Sequence, residues 1–178
     1  VIAKVRDRYI QDMANEKDLK LISALNLIRN WDLSADSSNT AAALAIIVLP
    51  NAFNEDNLKY KTDAITSKLV ETIDYLENKF GKIDVPLGKV LRLVRGETNL
   101  PLSGGPGLLR AIYFKKKNDA YVGIAGDCYF QAVEWGPNGE LNAWTIHQYG
   151  SATAIESSIH YDDQAKLFSK HEMKQVRP

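Results

Sequence analysis

A single cysteine, Cys128, leaves no partner for an intrachain disulfide and no thiolate cluster for zinc, and it assigns no redox compartment on its own. Charge of one sign is also missing. The 22 Lys and Arg residues balance 22 Asp and Glu, a formal net charge of zero that removes the electrostatic reason to expect nucleic acid or an anionic membrane as partner. The densest like-charge run, Lys115-Lys116-Lys117, reads as the tip of a loop. No apolar stretch approaches the roughly 18 to 20 residues a membrane span needs. The three histidines, His147, His160 and His171, lack the two-histidine helical spacing of zinc sites, so no metal is expected. No signal-like segment opens the chain and position 1 is Val, so the sequence reads as processed or as cut from something longer.

What is present is ordinary globular material. The 178 residues, 45% hydrophobic and 25% charged, suit one domain-sized core. Residues 1–82 read as mainly helical, 83–107 as irregular, 108–150 as antiparallel sheet and 151–178 as loop and helix, all in a single segment of α+β class. Leu21, Leu25 and Ile28 recur at spacings of four and three and predict an amphipathic helix over 17–31. Ser37, Ser38 and Asn39 offer caps for an almost wholly apolar helix over 40–49, closed by Pro50. Leu69, Ile73, Leu76 and Phe80 are in register for a helix over 62–80, with Gly81 placed to end it in a left-handed cap. Three prolines and four glycines between Val85 and Pro106 predict irregular backbone. From Leu108 the period shortens to two, predicting an antiparallel meander of strands over 108–114, 121–125, 128–135 and 141–148. A last helix is expected after Ser158, with Asp162 and Asp163 in its first turn facing the helix dipole.

No catalytic constellation is complete. Ser151, His160 and Asp163 supply the side chains of nucleophilic acyl transfer, but the last two stand three apart and no Gly-x-Ser-x-Gly elbow is present. Cys128 and His147 fall on neighbouring predicted strands, yet a cysteine alternating with Phe130 and Ala132 reads as a buried small apolar group. Ser103-Gly104-Gly105-Pro106-Gly107 lacks the Gly-Lys-Ser/Thr ending of a phosphate loop and reads as a glycine turn. Trp31, Trp135 and Trp144 have no basic surround and read as core or interface aromatics. No catalytic residue and no cofactor is assigned.

Five motifs in order carry a resemblance: Leu-Ile-Arg-Asn-Trp-Asp (27–32), Arg-Gly-Glu-Thr-Asn-Leu-Pro-Leu-Ser-Gly-Gly-Pro (95–106), Gly-Asp-Cys-Tyr (126–129), Tyr-Gly-Ser (149–151) and Ser-Ile-His-Tyr-Asp-Asp-Gln (158–164). Together they resemble the C-terminal part of the β-chain of the penicillin acylase family, nearer its acyl-homoserine lactone and aculeacin acylase branch. The resemblance implies a segment of an N-terminal nucleophile hydrolase with an αββα sandwich. It implies a periplasmic or secreted enzyme, self-cleaved into α and β chains, that hydrolyses the amide of N-acylated small molecules. The family's nucleophile is the serine opening the β-chain, with its α-amino group as base and an oxyanion hole of a backbone amide and an asparagine, all upstream of the resembling segment. Val1 has no hydroxyl or thiol, so the chain alone is expected to be inactive, with the upstream β-chain and the α-chain as its partners.

The motif residues Arg95, Gly96, Gly104, Gly105, Gly126, Asp127, Ser151, His160, Tyr161, Asp163 and Gln164 are therefore expected to serve the fold, the last four by fixing the final helix against the strand ending at Tyr149-Gly150-Ser151. Cys128 stands where the family commonly has serine and Ile159 where it commonly has proline, which leaves the subfamily and substrate open. A non-catalytic interaction module is the rival reading, and an autonomous enzyme using Cys128 or Ser151 the third.

Overall fold

The computed structural model describes residues 1–52 and 60–176. Contacts divide the chain, read above as one segment, into two compact units that interleave in sequence: residues 1–90 with 103–111, and residues 91–102 with 112–178. The part of the expected helical region at 53–59 lies outside the described residues.

The first unit is helical. Helix α1 (Ile2–Asp12), for which no separate helix is predicted, buries Val5 and Tyr9. Helix α2 (Leu19–Arg29) starts where Asp18 accepts the backbone N–H groups of Lys20 and Leu21, and it buries Ala24, Leu25 and Ile28. In α3 (Ala42–Val48) all seven residues are buried. The Asn39 side chain accepts the amides of Ala41 and Ala42 at its start, each at 3.0 Å. A 3-10 turn, Leu49–Ala52, follows. Helix α4 (Thr62–Phe80) matches the predicted range and ends on Gly81 at φ +74°, whose N–H reaches the Glu77 carbonyl. The short helix α5 (Leu87–Val90) completes the helices of this unit.

Two features tie its loops down. Trp31, almost wholly buried, donates its indole N–H to the Ser34 carbonyl at 2.8 Å. The Ser103 hydroxyl accepts the Ser37 amide at 3.1 Å, and the Gly104 N–H reaches the Ala35 carbonyl at 2.8 Å. The 103–111 segment thus closes the start of α3 with backbone and hydroxyl groups.

The second unit carries two sheets and a short helix. Strands β1 (Leu91–Arg95), β2 (Thr98–Pro101), β3 (Ile112–Lys117) and β4 (Ala120–Gly126) form one sheet in the order β2-β1-β4-β3. Strands β5 (Tyr129–Trp135), β6 (Leu141–His147) and β7 (Lys174–Gln175) form the other in that order. Helix α6 (Ala165–Ser169) buries Phe168, whose ring lies 6.2 Å from that of Phe130.

Four expectations are corrected. The sheet is not one antiparallel meander, because β1 runs parallel to β4 and the strands fall into two sheets. The 85–106 stretch contains the β1–β2 hairpin, closed by Gly96-Glu97 with positive φ at Gly96 alone, the pattern of a type II′ turn. The strand expected over 108–114 starts at Ile112 instead, and Lys115 to Lys117 end it rather than forming a loop tip. The last helix begins at Ala165, since the Ser158 hydroxyl accepts the His160 amide at 3.2 Å in a local turn and leaves Asp162 and Asp163 ahead of the helix.

Candidate functional site

The motif residues fall into three places. Gly104 and Gly105 lie in the helical unit, where a Cβ on Gly105 would sit 3.1 Å from Ile46 Cγ2. Gly126 and Asp127 carry the chain from β4 to β5 and, with Leu93, Leu102, Ile112 and Phe168, line a cavity of about 300 Å³. Cys128 lies beside them and is exposed, which corrects the expectation of a buried thiol. The third place gathers Arg95, Gly96, Ser151, His160, Tyr161, Asp163 and Gln164.

This cluster is built from three segments. The β1–β2 hairpin supplies Arg95 and Gly96, the chain leaving β6 supplies Tyr149 to Thr153, and the turn before α6 supplies His160 to Gln164. The second and third run side by side, with the Gln164 N–H on the Tyr149 carbonyl at 2.7 Å and the Ala152 N–H on the His160 carbonyl at 3.0 Å. Gly150 sits between those two bonds. A Cβ there would collide with the His160 carbonyl and the Asp163 carboxylate, so only glycine lets the strands of this loop approach.

Arg95 is the centre. Its guanidinium lies 4.0 Å from the Tyr161 ring centroid and 4.9 Å from that of Tyr149, and Nη2 donates to the carbonyls of Ala152 at 3.3 Å and Thr153 at 2.8 Å. A planar cation held between two aromatic faces loses little further freedom when its fork meets those carbonyls. Gly96 gives Tyr161 its place, because an added Cβ would stand 3.2 Å from the ring edge. Burial raises the Tyr149 phenol above its ordinary range; the Arg95 cation opposes the rise and Tyr161 adds to it.

Gln164 is 4% exposed and uses its side-chain oxygen as a substitute strand partner, accepting the His147 amide at 3.1 Å where β7 has already ended. Asp162 accepts the Thr98 hydroxyl, tying the turn to β2. His160 Nδ1 and Asp163 Oδ2 are 2.9 Å apart at the more exposed rim. No hydrogen bond joins Ser151 to His160, so the hydroxyl, imidazole and carboxylate do not form a relay among the described residues. No group of three metal-ligating side chains occurs among them either.

Sequence reasoning missed three participants. Thr98 gives no signal of its own, Tyr149 is visible only as part of Tyr-Gly-Ser, and Gly150 is the residue whose lack of a side chain decides the packing. The sequence model of penicillin amidases matches residues 2–177. No curated protein matches the chain. Among the described residues no helix is long and apolar enough to cross a membrane.

Proposed function

The chain belongs to the penicillin amidase family, and on that premise we propose that it forms the C-terminal part of the β-chain of an amide hydrolase acting on N-acylated small molecules. Acyl-homoserine lactone or β-lactam amides are the substrate type, and the periplasm or exterior the compartment, as the resemblance implies. The enzyme proceeds through an acyl-enzyme in this reading. Its nucleophile, base and oxyanion donors come from the upstream β-chain, which with the α-chain of the same precursor is the partner of this segment.

One observation carries the division of labour. Two polar side chains of the Arg95 cluster bond the chain's own backbone, Arg95 through Nη2 at Ala152 and Thr153 and Gln164 at His147, as Asn39 and Ser103 do in the helical unit. Groups committed in this way hold geometry rather than meet a substrate. Arg95, Gly96, Gly104, Gly105, Gly126, Asp127, Ser151, His160, Tyr161, Asp163 and Gln164 are accordingly proposed as residues of the scaffold.

The test is made in the intact enzyme. His160→Ala and Gln164→Ala should lower melting temperature and the yield of mature protein, while turnover per titrated active site stays near the parental value. Loss of turnover with stability and maturation unchanged would place these residues in the active site and defeat the reading. The 178-residue chain by itself should hydrolyse neither a penicillin nor an acyl-homoserine lactone.

A further inference from the structure

Strands β5 and β6 are joined through Pro137, Asn138 and Gly139. The Gly139 N–H reaches the Gly136 carbonyl at 3.1 Å and the Gly136 N–H the Glu140 carbonyl at 2.8 Å. Gly139 stands at φ +86° and Asn138 has no positive φ. That pattern is a type I turn followed by a left-handed glycine, a hairpin loop of three residues. All three, and Glu140 after them, are exposed.

Asn138 is the one asparagine of the chain that is followed by glycine. A carboxamide is electrophilic at Cγ, and the backbone nitrogen of the next residue can close a five-membered ring on that carbon. A side chain on the next residue crowds the approach, and glycine has none. Asn118, at the exposed turn between β3 and β4, is followed by Asp119 and lacks that opening.

Glu140 folds back over the turn. Its Oε2 accepts the Asn138 backbone N–H and its Oε1 the carboxamide nitrogen Nδ2, each at 3.1 Å. The carboxylate occupies the place where a Cβ on Gly136 would stand. Its own backbone N–H, then the side-chain and backbone N–H groups of Asn138, hold its carboxyl below the ordinary carboxylate range. An ionised carboxylate only accepts. It therefore grips the nitrogen that must leave without supplying a proton to it, and its charge opposes ionisation of the Gly139 nitrogen. The bond from Gly139 to Gly136 must break as well before that nitrogen can attack.

We propose that Asn138 is a site of spontaneous covalent modification, closing on the Gly139 nitrogen to a succinimide that water opens to aspartate or isoaspartate, and that the Glu140 carboxylate restrains this reaction in the folded chain. Water is the one co-reactant. The Gly139 nitrogen gives up its proton and bonds Asn138 Cγ, the Cγ–Nδ2 bond breaks, and Nδ2 leaves with that proton as ammonia. Water adding at Cγ restores the main chain and leaves aspartate; water adding at the backbone carbonyl carbon leaves the main chain running through Cγ, which is isoaspartate. Neither product fits the original turn. Aspartate sets a second carboxylate against Glu140 where the Nδ2 bond had been, and isoaspartate lengthens the main chain inside a loop closed by two backbone bonds.

The experiment incubates the mature enzyme at mildly alkaline pH, folded and in denaturant, and follows each asparagine by peptide mass spectrometry with fragmentation that separates aspartate from isoaspartate. Asn138 should convert to a mixture of the two while Asn118 keeps its amide. Asn138 unchanged when Asn118 has converted, or aspartate as the sole product, overturns the proposal. Glu140→Ala should speed conversion of the folded enzyme roughly three- to tenfold, the loss of two hydrogen bonds to a charged acceptor, and leave the rate in denaturant unchanged. Glu140→Gln, which keeps one carbonyl acceptor, should fall between. Equal folded-state rates for Glu140→Ala and the parent overturn the restraint. Gly139→Ala should all but abolish conversion in both states, and conversion at the parental rate in denaturant counts against attack by that nitrogen. None of these readouts depends on amidase activity, so the proposal stands or falls apart from the reading above.

Discussion

Gly150 and Arg95 are complementary single-residue determinants of the loop that joins β6 to α6. At Gly150 a methyl group meets the His160 carbonyl, a backbone atom fixed by its bond to Ala152, so the collision cannot be relieved by a side-chain rotation. Gly150→Ala should therefore cost about 1 to 3 kcal/mol or more, read as a fall in the denaturant midpoint at constant slope. Arg95 acts through shape as well as charge. Arg95→Lys keeps the cation but gives up the planar stack between Tyr149 and Tyr161 and the paired donation to Ala152 and Thr153. It should lose nearly as much stability as Arg95→Ala, in thermal melts of the two variants side by side. A lysine variant as stable as the parent would mean that charge alone matters there.

Helix ends are the elements whose signals are local, and they can be tested one at a time. Asp18→Ala removes the acceptor for two amides at the start of α2 and should cost about 1 kcal/mol. Gly81→Ala meets open space but must hold an L residue at φ +74°, so it too should cost about 1 kcal/mol, all of it backbone. Both ends of evidence for α4 lay in the sequence: an apolar register at Leu69, Ile73, Leu76 and Phe80 and a glycine after it. The hairpin of β1 and β2 was hidden because Gly96 and Pro101 are turn residues and strand-ending residues at once, and its parallel partner β4 is remote in sequence. Ser158, Asp162 and Asp163 have the composition of a helix start, but the Ser158 hydroxyl serves a turn and Asp162 reaches across to Thr98, choices that only the tertiary fold decides. For the cluster, the motif order delivered most of the residues that meet at Arg95, while Thr98 and the split of Gly104 and Gly105 into the other unit depend on long-range packing.

At the scale of the whole molecule, each unit holds a tyrosine whose phenol burial pushes upward: Tyr9, bonded to Thr66 at 3.1 Å, and Tyr149 beside Arg95. A raised phenol stays protonated in the folded chain after it has ionised in the unfolded one, so the unfolded state binds fewer protons. Stability is then intact below the unfolded value of about 10 and falls as pH rises above it. Denaturant titrations from pH 8 upward should show that decline, and Tyr9→Phe should make it shallower; an unchanged slope in the variant would remove Tyr9 from the account.

The interleaving of the two units governs how the polypeptide can be divided. The chain passes from the helical unit to the sheet unit after Val90, returns at Ser103 and leaves again after Ala111. A cut at residue 90 strips the helices of Ser103 and Gly104, which bond Ser37 and Ala35 ahead of α3. A cut at residue 111 instead leaves β1 and β2 joined to the helices and severed from β4, the parallel partner of β1. A single cut at either point therefore divides one of the two units instead of separating them.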